Sequence, residues 1–511
     1  MTDSRSITGI FVFAAVLLVA VFLGVSIVTE QIQTLAYVAA GTTLITCVAL
    51  GRRIWMIIPF AAALNVTLQV PGQPTTLLLA QALFCGFCVL LFLLRKLPFE
   101  IQFTELEFWI FLLTLCVGQA YLRNPVGLNI FGGDSVGARP YAIFGASLMT
   151  CLFLSQYRVP AADLKWLLRL SIIGGLLNFT LLTIGAFVPR VGIWYGAAEA
   201  AKANVQQGAY GVESATRIGF LGKTGGNIAL WISAFKSPIK ACFHPIWAPL
   251  VLLTFAFAAF SGFRNQIGAV GLTYLVAIAY RGGLPSILIA SFTLILGIVS
   301  LAFLNLAAPR PANIQRSLSF LPGTWDEYYK KDAANSTQWR VDMWEEALLT
   351  DFWIKNKILG DGLGMTNEEL RYISDITATQ QIAGAVGTGK LTTQQEFMMA
   401  SNNYHSGPVS TVRTIGYLGL LVLLLAQIRL AVHAHRQIKR ARRTEWFPLS
   451  LLIGIPIIFS PFFFVFIYGE FGRAAAAFLM GAAFVKMLEN NLPLPKYGSQ
   501  EPSAEVAKLS S

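Results

Sequence analysis

Three side chains carry groups suited to chemistry on a phosphorylated substrate. His405 ends the run Asn402-Asn-Tyr-His405, and a neutral imidazole is the usual general base near neutral pH. Arg264 stands in Ser261-Gly-Phe-Arg264-Asn at the start of an apolar stretch. Arg340 sits in Ser336-Thr-Gln-Trp-Arg340-Val-Asp-Met-Trp344, within an amphipathic pattern. Guanidinium groups take phosphate oxygens in pairs, so two arginines beside one histidine suit a lipid-linked diphosphate. Each residue also has a plainer reading. His405 reads as a packing or surface histidine, Arg264 as a helix-end cation reaching for water, and Arg340 as part of a solvated face. Arg217 and Lys223 are candidates to strengthen the positive field. Glu470 and Arg473 share one turn, where they either pair with each other or support the site.

Other chemistries leave no trace. The chain has no P-loop, no GxSxG and no outer-face carboxylate pair of the DxD kind. A histidine without Cys, His or acidic neighbours at ligand spacing is a poor metal site, so neither metal nor cofactor is expected. Cys85 and Cys88 form a CxxC inside an apolar helix pattern, where small packing residues are the better reading. None of the six cysteines lies between 309 and 410, so no disulfide framework holds that interval.

The elements that must position these groups follow from composition. Of 511 residues, 55% are hydrophobic and 13% charged, with a mean hydropathy of +0.62. Soluble domains carry about 25% charged residues, so this is an all-α polytopic membrane protein. The net charge of +12 is spread over short clusters between apolar stretches, as cytoplasmic loops require, and does not point to nucleic acid. A spanning helix needs about 20 apolar residues, which gives about fourteen spans (12–14). They are expected near 8–29, 33–50, 54–70, 75–94, 106–122, 140–156, 164–187, 217–235, 245–261, 265–280, 284–306, 412–432, 447–468 and 471–488. The first reads as an uncleaved helix rather than a signal peptide. Residues 1–307 are thus a first set of spans, 308–411 one long polar loop, 412–490 a second set, and 491–511 a disordered cytoplasmic tail.

Basic residues fall on every second loop: Arg52-Arg53, Arg95-Lys96, Arg158 with Lys165 and Arg169, Lys236 with Lys240, Arg281, and the cluster from His433 to Arg443. The positive-inside rule puts these loops and both termini in the cytoplasm. The long loop, Arg264, the segment 188–216 and the turn Tyr468–Arg473 then share the opposite face. Arg413, Arg429, Arg473 and Lys486 read as helix-end cations, and the lack of charge at mid-span argues against an ion-coupled pump. Inside the loop, Gln338–Asn356 reads as an amphipathic helix able to lie on the membrane surface. Gly360-Asp-Gly-Leu-Gly364 reads as the turn that breaks it, with Asp361 shaping the turn. Thr392 with Gln395 resembles a capping box for a helix ending near Ser401.

In this order the pieces resemble the O-antigen ligase and O-antigen polymerase family of bacterial envelope glycosyltransferases. The resemblance rests on Ser261-Gly-Phe-Arg264-Asn, Gln338-Trp-Arg340-Val-Asp-Met-Trp344, Ile358-Leu-Gly-Asp-Gly-Leu-Gly364, Asn402-Asn-Tyr-His405 and Arg413-Thr-Ile-Gly-Tyr-Leu-Gly-Leu420. A further element runs from Thr216 to Asn227, and the similarity covers about 217–432. Two positions depart from the family pattern: Ser406 follows His405 where the family has Asn, and Asn265 follows Arg264 where it has Gly. The resemblance implies a GT-C-like fold in the bacterial cytoplasmic (inner) membrane and an undecaprenyl-diphosphate-linked glycan as donor. It also implies a glycan or lipid acceptor and a metal-free, inverting reaction at the outer leaflet, with His405 as base and Arg264 and Arg340 on the diphosphate. Membrane lipid and other polysaccharide-assembly proteins are the expected surroundings. Two rival readings are a flippase or exporter of a lipid-linked glycan, for which the same residues are only a docking site, and a scaffold in an export assembly.

Overall fold

The computed structural model describes residues 41, 49–68, 73–95, 103–126, 137–188, 192, 218–307, 312–319, 321, 324–366, 368–375, 391 and 393–493. Residues 1–55 and 56–511 form two compact units. The expected spans at 8–29 and 33–50, the segment 188–216 with Arg217, and the tail therefore lie almost wholly outside the described residues. Gly51–Met56 is a 3-10 turn.

The second unit is built from helices. They are α1 (Ile57–Leu64), α2 (Thr76–Leu93), α3 (Glu105–Arg123), α4 (Arg139–Gln156), α5 (Ala161–Phe187), α6 (Gly219–Phe235), α7 (Pro238–Cys242) and α8 (Trp247–Phe260). Then follow α9 (Arg264–Ala307), α10 (Ala312–Leu318), α11 (Glu327–Leu349), α12 (Thr393–Ala400), α13 (Gly407–Ala441), α14 (Phe447–Phe466) and α15 (Phe471–Asn491). Among the described residues seven are long and apolar enough to cross a membrane: α2, α3, α5, the Arg264–Gly297 part of α9, α13, α14 and α15. The chain is an all-α, multi-pass membrane protein. Glycines let the helices approach closely, as in membrane packing generally. Gly174 of α5 faces the backbone of α1 at Phe60, and Gly225 of α6 faces the carbonyl of Thr254 in α8.

Several expectations need correction. No helix fills 54–70. The eight residues of α1 rise only about 12 Å, and Asn65 ends them in the left-handed conformation, with φ 36°. The chain then doubles back through a bridge between Thr67 and Thr75. By contrast, the helices expected at 265–280 and 284–306 are both present as the two segments of α9, which are separated by a non-helical Gly283 two residues before Pro285. The amphipathic helix begins at Glu327, where the Asp326 side chain accepts from the Tyr328 amide, and it ends at Leu349, well before the glycine turn. Part of its apolar face packs within the protein. Met343 and Ala347 are fully buried in a small core with Ile354, Leu391, Met399, Tyr404, Val409 and Val412. Thr392 lies outside the described residues. Gln395 donates to the Trp339 carbonyl at 2.8 Å, tying α12 to α11.

Two cations expected to reach for water do not. Lys486 is 2% exposed and pairs with Glu107 at 2.9 Å. Arg413 is 3% exposed and pairs with Glu369, with Asp361 at 3.7 Å. Burying a charge without such partners costs several kcal/mol, so the carboxylates are what allow both positions.

Arg413 also lies beside a break in α13. Gly416 has φ 73°, and the helical bonds expected from Tyr417 and Leu418 are exchanged for loop partners. Their amides donate to the carbonyls of Lys357 and Ile358, while Asp361 and Gly362 donate to the carbonyls of Arg413 and Thr414 at 2.8 and 2.9 Å. Asp361 shapes this turn, its carboxylate accepting from the amides of Lys355 and Asn356. A methyl added at Gly416 would run into the Ile358 carbonyl, whereas one at Gly226 in α6 would meet no described atom within 4 Å. Gly416→Ala should therefore destabilise the protein by about 3 kcal/mol, and Gly226→Ala should be neutral or slightly stabilising. Thermal unfolding of the purified protein in detergent reads both. Wild-type melting of Gly416→Ala would mean that the interlock does not hold the loop.

Candidate functional site

The site forms where the long loop meets the ends of α8 and α14 and the starts of α9 and α13. His405 follows α12 by five residues and precedes α13 by two. Asn402 closes α12 in the left-handed region, with φ 59°, where asparagine is well tolerated. Ser406 opens α13 as its N-cap and accepts from the Val409 amide. Asn is an equally good N-cap, so the Ser406 departure keeps this local role. Between them His405 itself has φ 50°. A histidine in this region is uncommon, and such strain persists only where the surroundings impose it.

Those surroundings are two aromatic rings. The His405 ring lies 5.9 Å from that of Tyr468 and 6.4 Å from that of Trp339, centre to centre. Trp339 arrives on α11, which Trp344 fixes by donating its indole N–H to the Tyr404 carbonyl at 2.7 Å. Tyr468 arrives on the turn after α14. That turn presses against α13 because Gly407 and Gly469 face each other with no room for a side chain. It is also bonded there, the Phe471 amide donating to Ser410 Oγ at 3.1 Å. Below His405, burial pushes the Tyr404 hydroxyl up to about 12.

Arg340 is one residue from Trp339 and is half-buried. Its Nε is buried and meets no acceptor among the described residues. Burial pulls the guanidinium below the usual arginine value; nearby Tyr468 opposes that shift and nearby Arg316 adds to it. Arg316 comes from α10, which Ser317 anchors by donating to the Ala259 carbonyl of α8 at 3.0 Å. Arg264 is the first residue of α9, after a turn in which Gly262 has φ 74° and the Ser261 carbonyl accepts from the Ile218 amide. One helical turn on, Gly268 faces Ile467, the neighbour of Tyr468. Arg264 thus opens its helix at the same end of the bundle.

The remaining candidates lie further out. Lys223, on α6, feels the charge of Arg473. Arg473 is exposed and paired with Glu470 at 3.2 Å, the simpler of the two readings for that turn. Arg217 lies outside the described residues. Among the described residues no group of three His, Cys, Asp or Glu side chains could hold a metal ion. The sequence reading missed Tyr468 and Arg316 as members of the cluster. Tyr468 was visible only as part of a short polar turn, and Arg316 as one basic residue in a long loop.

Arg340 and Arg316 lie close enough to feel each other's charge, and Arg264 and the His405 imidazole stand at the same end of the bundle. No family model matches this chain, and no curated protein matches it. The reading therefore rests on the residues themselves.

If the cluster imposes the backbone at His405, side chain and strain can be separated. His405→Gly should be more stable than His405→Ala by roughly 1 kcal/mol, since glycine adopts positive φ without cost. Chemical or thermal unfolding of both variants measures this. Equal stabilities would mean that the left-handed backbone at 405 carries no strain.

Proposed function

We propose that the chain is a membrane glycosyltransferase of the O-antigen ligase or polymerase kind. In this reading it moves a glycan from undecaprenyl diphosphate to an acceptor hydroxyl at the outer face of the bacterial cytoplasmic membrane. About 12–14 spans in a GT-C-like arrangement carry the site, with both termini in the cytoplasm. The observation that carries the reading is His405, held in a strained backbone between Trp339 and Tyr468, beside an arginine whose buried Nε has no described acceptor.

The chemistry follows from that grouping. Arg340 and Arg264 hold the diphosphate, and Arg316 adds to the field. The buried Arg340 Nε is a donor waiting for an anionic oxygen, and it acts where negative charge grows as the diphosphate leaves. His405 takes the proton from the acceptor hydroxyl. The acceptor oxygen bonds to the anomeric carbon from the opposite face, and the bond from that carbon to the diphosphate oxygen breaks. The electron pair stays with the diphosphate, and the anomeric configuration inverts.

A positioned base contributes typically 10²–10⁴-fold and a preorganised donor roughly 10²–10³-fold. His405→Ala should therefore nearly abolish glycan transfer per folded molecule. Arg340→Ala should reduce it strongly while leaving the α11 core intact. Arg264→Lys should only partly restore what Arg264→Ala loses, because a point charge cannot make a bidentate contact. His433→Ala serves as a control. His433 pairs with Glu489 at 3.1 Å in the far half of α13, so transfer should persist. Full transfer by His405→Ala would reject the assigned base, and an equal loss in His433→Ala would indicate general destabilisation.

Orientation is tested separately. Glu345 and Arg443 are exposed and suit labelling. Glu345→Cys should react with an impermeant thiol reagent in intact spheroplasts, and Arg443→Cys only after permeabilisation. The reverse pattern would put His405 in the cytoplasm and overturn the outer-leaflet reaction.

A further inference from the structure

At the other end of the same helices the chain carries a second cationic feature that the transfer chemistry does not use. A cavity of about 480 Å³ opens where α6 and α13 end, beside α7, the break in α9 and the start of α14. Four cations line it: Lys236, Lys240, Arg281 and Arg442. No carboxylate lines it among the described residues. α6 begins beside Ser261 and ends at this cavity. Its 17 residues therefore put about 25 Å between the two features.

The cavity is built around Arg281. Its Nε donates to the Ser233 carbonyl at 3.0 Å, and a second nitrogen donates to the Ala234 carbonyl. Its plane lies over the Phe447 ring at 5.1 Å. Two carbonyls at a helix C-terminus offset only part of one positive charge. Just beyond, Gly283 turns the chain at φ 67°, and the following turn supplies Ser286 and Ile289 to the wall. Lys236, Lys240 and Arg442 are exposed around the opening. The apolar side of the wall is also open, with Phe235 43% and Ile289 55% exposed.

We propose that this cavity binds the headgroup phosphate of an anionic phospholipid. Four cations without a carboxylate repel one another until an anion sits among them, and basic pockets between membrane helices are suited to such headgroups. A soluble polyanion would use the cations alone. The exposed Phe235 and Ile289, at the ends of apolar helices, give acyl chains a surface that it would not need. The neighbouring cleft does not share this character. There Lys165 pairs with Glu445 at 2.8 Å, which cancels its charge.

The test uses the full chain, purified and delipidated in detergent, and titrated with cardiolipin, phosphatidylglycerol or phosphatidylcholine of matched acyl chains. Native mass spectrometry counts the bound lipid. The anionic lipids should bind at least tenfold more tightly than phosphatidylcholine. Lys240→Gln with Arg442→Gln alters two exposed side chains and spares the Arg281 anchor. At about 1 kcal/mol per cation near an anionic surface, that pair should weaken anionic-lipid binding about 30-fold. Lys165→Gln should leave it unchanged. Equal binding of phosphatidylcholine by the wild-type protein, which needs no variant, would overturn the proposal. So would undiminished binding by the double variant. Displacement of the lipid by millimolar inorganic phosphate or ATP would assign the cavity to a soluble phosphate instead.

Discussion

The exchange of backbone hydrogen bonds at Gly416 is the constraint on which the rest depends. Breaking α13 there frees two carbonyls and two amides inside a packed bundle, where unpaired polar groups are costly. The 357–362 segment supplies all four partners. It can do so only because Gly360 and Gly362 adopt φ values of 79° and 98° that bring backbone against backbone. Arg413 lies at the same place, and its charge requires Asp361 from that segment and Glu369 from the helical residues that follow it. Removing one member of such a buried group typically costs about 3–5 kcal/mol. A long polar loop is thereby fixed to a membrane helix rather than tethered at its two ends.

The docking propagates toward the site. Gln119 and Asn124 of α3 and Tyr141 of α4 bond the same turn through the Leu359 carbonyl, the Asp361 carbonyl and the Leu363 amide. With the turn immobile, α11 and α12 close a core over the first residues of α13. That core puts Trp339 and Arg340 beside the strained His405. The far wall comes from elsewhere in the chain, through the Gly407–Gly469 approach that brings in Tyr468. Thus residues from α10, α11, the start of α13 and the turn after α14 converge without any of them being near in sequence. Acceptor, base and leaving group must meet within a few ångströms for transfer to occur, and this rigidity is what such a geometry needs.

Much of the fold was legible in the sequence because it rests on local signals. Long apolar runs gave α2 to α5, α14 and α15 close to their observed limits, whereas α13 starts five residues earlier and ends nine residues later than the run at 412–432. Arg264 was legible as a helix start and Asp361 as a turn former. What was not legible depended on distant partners. Arg413 and Lys486 read as helix-end cations because nothing local announces a carboxylate 44 residues away or a partner 382 residues away. The span expected at 54–70 failed for a different reason. Its composition is largely apolar, and only Asn65, Thr67 and Gln69 interrupt it. Tyr468 escaped notice because its importance lies in which ring it faces, a fact of packing alone.

The central claim is that the outer end of this bundle breaks a glycan–diphosphate bond. The most direct measurement gives the purified wild-type protein a polyprenyl-diphosphate glycan and an acceptor, without divalent metal. It then follows the lipid product by mass spectrometry and the new linkage by NMR. The account predicts one polyprenyl diphosphate released for each glycan transferred, with the anomeric configuration inverted. Donor that remains intact while crossing the bilayer, or a product that retains configuration, would contradict it.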